Sequence, residues 1–360
     1  MAALDGPEAF AVDSLGLIAG LDGAVRDFDR ARAAGEALEP PFPGDAVRDV
    51  VVCGMGGSAI AGDLVASAYA ERLRRPMQVV RGYYLPGWVG DDTLAFLLSY
   101  SGETEETLTC TMQAMERGAL CIGMTSGGKL ASWYGDRGLP IVPVPGGLQP
   151  RMALLHLLVP MVVLMGRLGV LPPQDEELDA AREAVAAAIA AYGPGVPTAS
   201  NPAKQIAGML DDTLPLVYGA EGTAGVALRW KCQINENAKM HAVWAALPEL
   251  DHNEIVGFEH PGKAGEAAYV VMLRDPRQHR QVERRFDLTR ELIEQSVRGV
   301  VSVEAEGAGP LARALDLVLL GDYVSLYLAC LRGLDPGPVE MIQRLKDRMA
   351  VTGYGRSASG

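Results

Sequence analysis

A strand read at Asp49-Val50-Val51-Val52-Cys53, apolar throughout after its first residue, runs directly into Gly54-Met55-Gly56-Gly57-Ser58 and then into a helical pattern from about Ala59 to Ala70. A continuous apolar run such as Val50 to Cys53, with no alternation, must be covered on both faces, which is the signature of a parallel sheet between helices. The same unit recurs. Thr93 to Leu98 leads through Ser99-Tyr100-Ser101-Gly102-Glu103-Thr104 into a helix ending near Arg117, and Ala119 to Met124 leads through Thr125-Ser126-Gly127-Gly128 into another. Met77-Gln78-Val79-Val80 reads as a further strand. Alternation of this kind predicts an α/β fold with mainly parallel sheets.

The unit then returns far along the chain. Val217-Tyr218-Gly219-Ala220-Glu221-Gly222-Thr223-Ala224 aligns with Val52-Cys53-Gly54-Met55-Gly56-Gly57-Ser58-Ala59, with two glycines and a hydroxyl residue in register. An echo at so long a period predicts a duplicated αβα sandwich, not a solenoid. The expected division is an N-terminal domain over residues 1–170, preceded by a helical leader at 9–35, and a C-terminal domain over 171–360. The linker is read at Leu171 to Glu177, ahead of an Ala-rich helix at about Asp179 to Ala191.

The net charge of −13 repels nucleic acid and anionic membranes, so neither is an expected partner, and an anionic substrate needs a local cradle. The five cysteines show no CxxC pair and read as reduced core residues. The five histidines show no HxH or HxxxH pairing, and no metal or cofactor is expected. The opening residues MAALDGPEAF carry no basic and apolar leader pattern, and the apolar run Met152 to Leu168 is broken by His156, Pro160 and Arg167. Those features predict a cytoplasmic protein with a buried helix at 152–168.

In open parallel sheets, ligands sit beyond the carboxyl ends of the strands. There the sequence places Ser58, Ser99, Ser101 and Thr104, with glycines between them. Helix N-termini carry partial positive charge and unsatisfied N–H groups, so such loops suit a phosphate. Each hydroxyl alone could equally be a helix cap. A dinucleotide site would need an acidic residue at the end of the next strand, and Arg81-Gly82-Tyr83-Tyr84 supplies none.

A second polar cluster follows the echo. Arg229 to Lys239 is read on a helix with Glu236 and Lys239 sharing a face, and Pro248 to Gly257 is a loop containing His252. Aldose–ketose conversion needs a carboxylate to shuttle a proton between C2 and C1, a group to open the ring, and a cation for the enediolate. Glu236, His252 and Arg151 suit these tasks, although a solvated acid, a surface histidine and a helix-start arginine are the bland readings of the same residues.

Ser99-Tyr100-Ser101-Gly102-Glu103-Thr104-Glu105-Glu106-Thr107 is similar to the S-x-S-G-x-T-x-E-T signature of sugar isomerase (SIS) domains. The wider set of Gly54 to Ser58, Gly147 to Arg151, Asn201 to Lys204, Arg229 to Lys239 and His252-Asn253-Glu254 resembles the bifunctional phosphoglucose/phosphomannose isomerase family. The resemblance implies two tandem SIS-type αβα domains and a metal-independent isomerase. Gly57, Ser58, Ser99, Ser101 and Thr104 would hold the phosphate of glucose 6-phosphate and mannose 6-phosphate. Glu236 would be the base, His252 would open the ring, Arg151 would steady the enediolate, and Lys346 would reach the site from the last helix. It also implies a homodimer with His252 lent across the interface.

One position departs from the family pattern. Asp335-Pro336-Gly337-Pro338 has glycine where a threonine is expected, which weakens the expectation of mannose use. The alternatives are a phosphosugar sensor that has lost its base, or a SIS enzyme of another phosphosugar. Retention of Glu236, His252 and Arg151 opposes the first, and Met1-Ala2-Ala3 offers no amidotransferase cysteine.

Overall fold

The computed structural model describes residues 4–351, so Met1 to Ala3 lie outside the described residues. Strands β1 (Asp49–Cys53), β2 (Met77–Val80), β3 (Thr93–Leu98), β4 (Leu120–Thr125) and β5 (Ile141–Pro143) form one parallel sheet in the order β2-β1-β3-β4-β5. Strands β6 (Leu214–Ala220), β7 (Val243–Leu247), β8 (Ala268–Arg274) and β9 (Gly299–Glu304) form a second, also parallel, in the order β7-β6-β8-β9. In each sheet the strand of the aligned echo, β1 or β6, lies beside the point where the winding reverses. The duplicated α/β reading therefore holds in its topology, and β3 is buried at all six positions as a doubly covered strand requires.

The helices are α1 (Leu17–Leu21), α2 (Ala24–Ala37), α3 (Gly56–Ala68), α4 (Glu105–Glu116), α5 (Gly128–Arg137), α6 (Leu154–Arg167) and α7 (Asp175–Tyr192) in the first part of the chain. Then come α8 (Pro202–Leu210), α9 (Ala224–Asn237), α10 (Gly262–Ala267), α11 (Arg280–Ile293), α12 (Pro310–Leu331) and α13 (Glu340–Val351). Several boundaries move from their expected places. The leader is not one helix, because Gly16 takes a left-handed φ of 63° and the chain turns before α1. Helix α3 starts three residues before Ala59, and α7 starts inside the segment read as a linker. Helix α9 stops at Asn237, and Lys239 lies beyond it with φ 52°, so Glu236 and Lys239 do not share a helical face.

The residues from Leu154 to Met165 are buried, as the apolar run 152–168 predicts. The longest apolar helix is instead α12, whose 22 residues pass the length and hydropathy test for a membrane span but whose most apolar window is 89% buried inside the fold. It packs against α7, α8 and α9, and so ties the chain segments before and after β6 into one core. All five cysteines are free thiols, with Cys53, Cys110 and Cys121 buried and Cys232 and Cys330 half-buried.

Candidate active site

The loops that follow β1 and β3 meet at the reversal point of the first sheet, the position where open α/β sheets hold their ligands. Ser99 is buried, and its Oγ lies 2.9 Å from the Thr104 hydroxyl and accepts from the Gly102 amide at 3.1 Å. Ser58 is also buried, and its Oγ accepts from the Tyr100 amide at 3.3 Å, which links the two loops. Ser101 is exposed, with its Oγ accepting from the Glu103 amide at 3.2 Å. The helix-cap reading fits these hydroxyls poorly. Ser58 is the third residue of α3, and Thr104 occupies the cap position of α4 with no side-chain cap bond. Two helix N-termini thus face the same loops without a capping side chain, and their dipoles favour an anion there. Glu103 is not merely solvated: its carboxylate accepts from the Lys129 amide at 2.8 Å at the start of α5, and that bond holds its pKa below the usual range.

Gly57 joins this cradle to the arginine. A Cβ at Gly57 would stand 3.0 Å from Arg151 Cα and 3.1 Å from the Pro150 carbonyl oxygen, so any other residue would require the facing backbone to give by a few tenths of an ångström. Gly57→Ala is expected to push the 150–151 backbone away and, if Arg151 serves the site as predicted, to lower kcat/KM by roughly tenfold, since small misplacements of a positioned group are costly. Steady-state kinetics on the purified variant checks this, and unchanged kcat/KM would show that the two loops are not coupled.

Arg151 lies in the short 3-10 turn Pro150–Met152 and is 2% exposed. Its Nε donates to Asn237 Oδ1 at 2.7 Å, and its Nη2 donates to the carbonyls of Pro336 at 2.7 Å and Gly337 at 2.9 Å. Nη1 has weaker partners: Gln149 Oε1 at 3.4 Å and, at 3.9 Å, Glu236 Oε2. The fixed nitrogens therefore orient the guanidinium, and Nη1 remains directed toward the half-buried Glu236. Burial lowers the arginine's pKa, opposed by the Glu236 charge, and arginine nonetheless stays protonated. Lys239 adds a second cation, its Nζ donating to the Glu236 carbonyl at 2.9 Å and the Pro336 carbonyl at 3.0 Å. Its left-handed backbone is a strain that a lysine rarely adopts.

Behind Arg151 lies a buried polar network. Arg229 pairs with Asp322 through Nη2–Oδ2 at 2.7 Å and Nε–Oδ1 at 3.0 Å, and Gln233 Nε2 donates to Asp322 Oδ1 at 2.9 Å. The Arg229 Nη2 also donates to the Arg151 carbonyl at 3.1 Å, and Asn237 Nδ2 donates to Ser325 Oγ at 2.9 Å. Sequence reasoning missed Asp322 and Ser325. The available signal was an aspartate within the apolar run Leu317 to Leu328, where a buried charge demands a partner.

Two predicted site residues stand apart. His252 is exposed in the turn Glu249–His252 after β7, with no hydrogen bond or ion pair to Glu236, Arg151 or the hydroxyl loops among the described residues. Lys346 is exposed on α13. A cavity of about 240 Å³ is lined by Leu15, Gln149, Met152, Arg229 and Asp322, so it borders the polar network behind Arg151, and Ser58, Ser99, Thr104 and Glu236 are not in its lining. Among the described residues, no group of three or more His, Cys, Asp or Glu side chains could hold a metal ion.

Comparisons with known proteins show which family the chain resembles over most of its length. The bifunctional phosphoglucose/phosphomannose isomerase of Caldicellulosiruptor bescii is 39% identical over 89% of this chain and 95% of its own length. The chain belongs to the bifunctional phosphoglucose/phosphomannose isomerase family. Within that family the Aquifex aeolicus protein of the same name is 37% identical over 84% of this chain and 90% of its own. Residues 199–349 match the family described as the bacterial phospho-glucose isomerase C-terminal SIS domain. A glucose-6-phosphate isomerase-like protein from Thermus thermophilus shares the fold at a TM-score of 0.63 and 24% identity, over 95% of this chain and 100% of its own.

Proposed function

We propose that the protein is an aldose–ketose isomerase that interconverts glucose 6-phosphate, and mannose 6-phosphate, with fructose 6-phosphate. The observation that carries this reading is the Glu236–Arg151 pair, a carboxylate beside an oriented guanidinium, next to strand-end hydroxyl loops in a chain of this family. Gly57, Ser58, Ser99, Ser101 and Thr104 hold the phosphate at the two uncapped helix ends. That anchor fixes the open-chain sugar so that C1 and C2 reach Glu236. The carboxylate takes the proton from one carbon and returns it to the other, and the oxygen that gains negative charge is stabilised by Nη1 of Arg151. No metal or cofactor enters this scheme.

His252 and Lys346 complete the site in a homodimer, His252 being lent by the second subunit for ring opening. Exposure of His252 supports this reading, as do the exposed apolar side chains Val243, Trp244 and Val256 and the exposed Met341, Ile342 and Leu345 on α13. The division into an N-terminal and a C-terminal SIS domain near residue 170 and a cytoplasmic location belong to the same proposal.

The test is isomerisation of fructose 6-phosphate in excess EDTA, with glucose 6-phosphate and mannose 6-phosphate resolved as products. Formation of both supports the full reading, and glucose 6-phosphate alone restricts it to one epimer, the outcome to which Gly337 points. Binding of the sugar phosphate without turnover overturns the isomerase and leaves a sensor.

A further inference from the structure

Arg151 and Lys239 share an anchor that no catalytic assignment accounts for. Both donate to the Pro336 carbonyl, and Arg151 also donates to that of Gly337. The position of those two carbonyls therefore sets where the cations stand. The loop that carries them lies between α12 and α13 and has no regular structure of its own. Something must hold it.

The hold comes from the other end of the chain. Ser14 Oγ donates to Asp335 Oδ2 at 2.6 Å, and the other carboxylate oxygen accepts from the Gly337 amide at 2.9 Å. Asp335 is thus bonded on one side to the leader and on the other to the loop residue whose carbonyl meets Arg151. The leader turn is itself pinned, because Asp13 accepts from the amides of Leu17 at 2.9 Å and Ile18 at 2.8 Å. Leu15 completes the contact: a Cβ on Gly337 would lie 2.8 Å from its Cγ and Cδ1, so Gly337 fits its neighbour in the leader. The Asp335 charge also opposes that of Lys239. Burial works against the ionised Asp335, yet the hydrogen bonds from Ser14 and Gly337 and the nearby Lys239 keep its carboxyl below the usual range.

We propose that the leader turn Ser14–Leu15 and the loop Asp335–Gly337 form a clasp that holds Arg151 and Lys239 in register with Glu236, Ser14 and Asp335 being positioning residues. The clasp rests on the isomerase reading above. It acts on the cations and not on the phosphate cradle, whose loops come from β1 and β3. Loosening it shifts the guanidinium relative to the reacting carbons while the phosphosugar still binds, so the effect falls on kcat.

The test compares Ser14→Ala, Asp335→Asn and the conservative Ser14→Thr with wild type, in the full chain, with fructose 6-phosphate as substrate. The Ser14–Asp335 bond is exposed, so Ser14→Ala leaves the fold intact. The expected result is a fall in kcat of roughly tenfold for Ser14→Ala and Asp335→Asn, with KM held within about twofold and activity restored by Ser14→Thr. Unchanged kcat overturns the clasp. So does a fall in kcat that tracks a lowered melting temperature and is not rescued by threonine, because that is a purely structural role. An inactive wild type sinks only the isomerase reading, and amide hydrogen exchange then decides the clasp separately. Faster exchange at the Gly337 amide in Ser14→Ala supports it, and an unchanged rate overturns it.

Discussion

Glu236→Gln will lower kcat for fructose 6-phosphate by roughly 10²- to 10⁴-fold, the range over which a positioned general base acts, while the phosphosugar still binds. Glutamine keeps the size of the side chain at the end of α9 and removes only its ability to take a proton. The groups that surround it are held independently of its charge. Arg151 is fixed by Asn237, Pro336 and Gly337, and its 3.9 Å contact with Glu236 is the longest of its polar contacts. Replacing that carboxylate therefore leaves the guanidinium in place. The hydroxyl loops follow β1 and β3, and among the described residues none of their hydrogen bonds reaches position 236. Single-turnover kinetics together with calorimetric binding of fructose 6-phosphate separates the two effects. A variant that keeps a tenth or more of wild-type kcat would remove Glu236 from the role of base, and loss of binding would show that it is a ligand for the sugar instead.

The parts of this site that lie on strand ends were legible in the sequence for a simple reason. A doubly covered strand is apolar along its length, and the turn that ends it must be small and polar, so β1, β3 and their loops announce themselves within ten residues. Parts that depend on the meeting of distant segments were not legible. Nothing near Arg151 in the sequence points to the Pro336 carbonyl, and nothing near Ser14 points to Asp335, since backbone acceptors have no residue signature. Lys239 shows the same limit in a local form. Its spacing from Glu236 is helical, but α9 ends at Asn237, and the lysine reaches back through a left-handed turn to the carbonyl of Glu236. Helical periodicity over 9–35 does not carry through the leader, because its glycines interrupt it. Gly16 and Gly23 break it into separate pieces, and the turn so created supplies Ser14 and Leu15.

Asp322→Ala is expected to destabilise the protein by about 3–5 kcal/mol, the usual cost of leaving one partner of a buried ion pair unpaired. The side chains of Arg229 and Asp322 are 3% and 5% exposed, so the guanidinium left behind has little solvent around it beyond the cavity that both side chains line. The loss extends past the pair, because Gln233 also gives up its acceptor. Against a total stability of roughly 5–15 kcal/mol for a folded domain, such a change is large enough to shift the urea midpoint plainly. The double replacement Arg229→Met with Asp322→Leu separates folding from function. It removes both charges and fills the space with apolar side chains, so most of the lost stability returns. Activity does not return on the proposed mechanism, because Arg229 Nη2 also holds the Arg151 carbonyl and the double variant removes that bond from the turn carrying Arg151. A midpoint shift worth less than about 1 kcal/mol for Asp322→Ala would mean that water reaches Arg229. Full activity in the double variant would mean that the turn carrying Arg151 is held without this network.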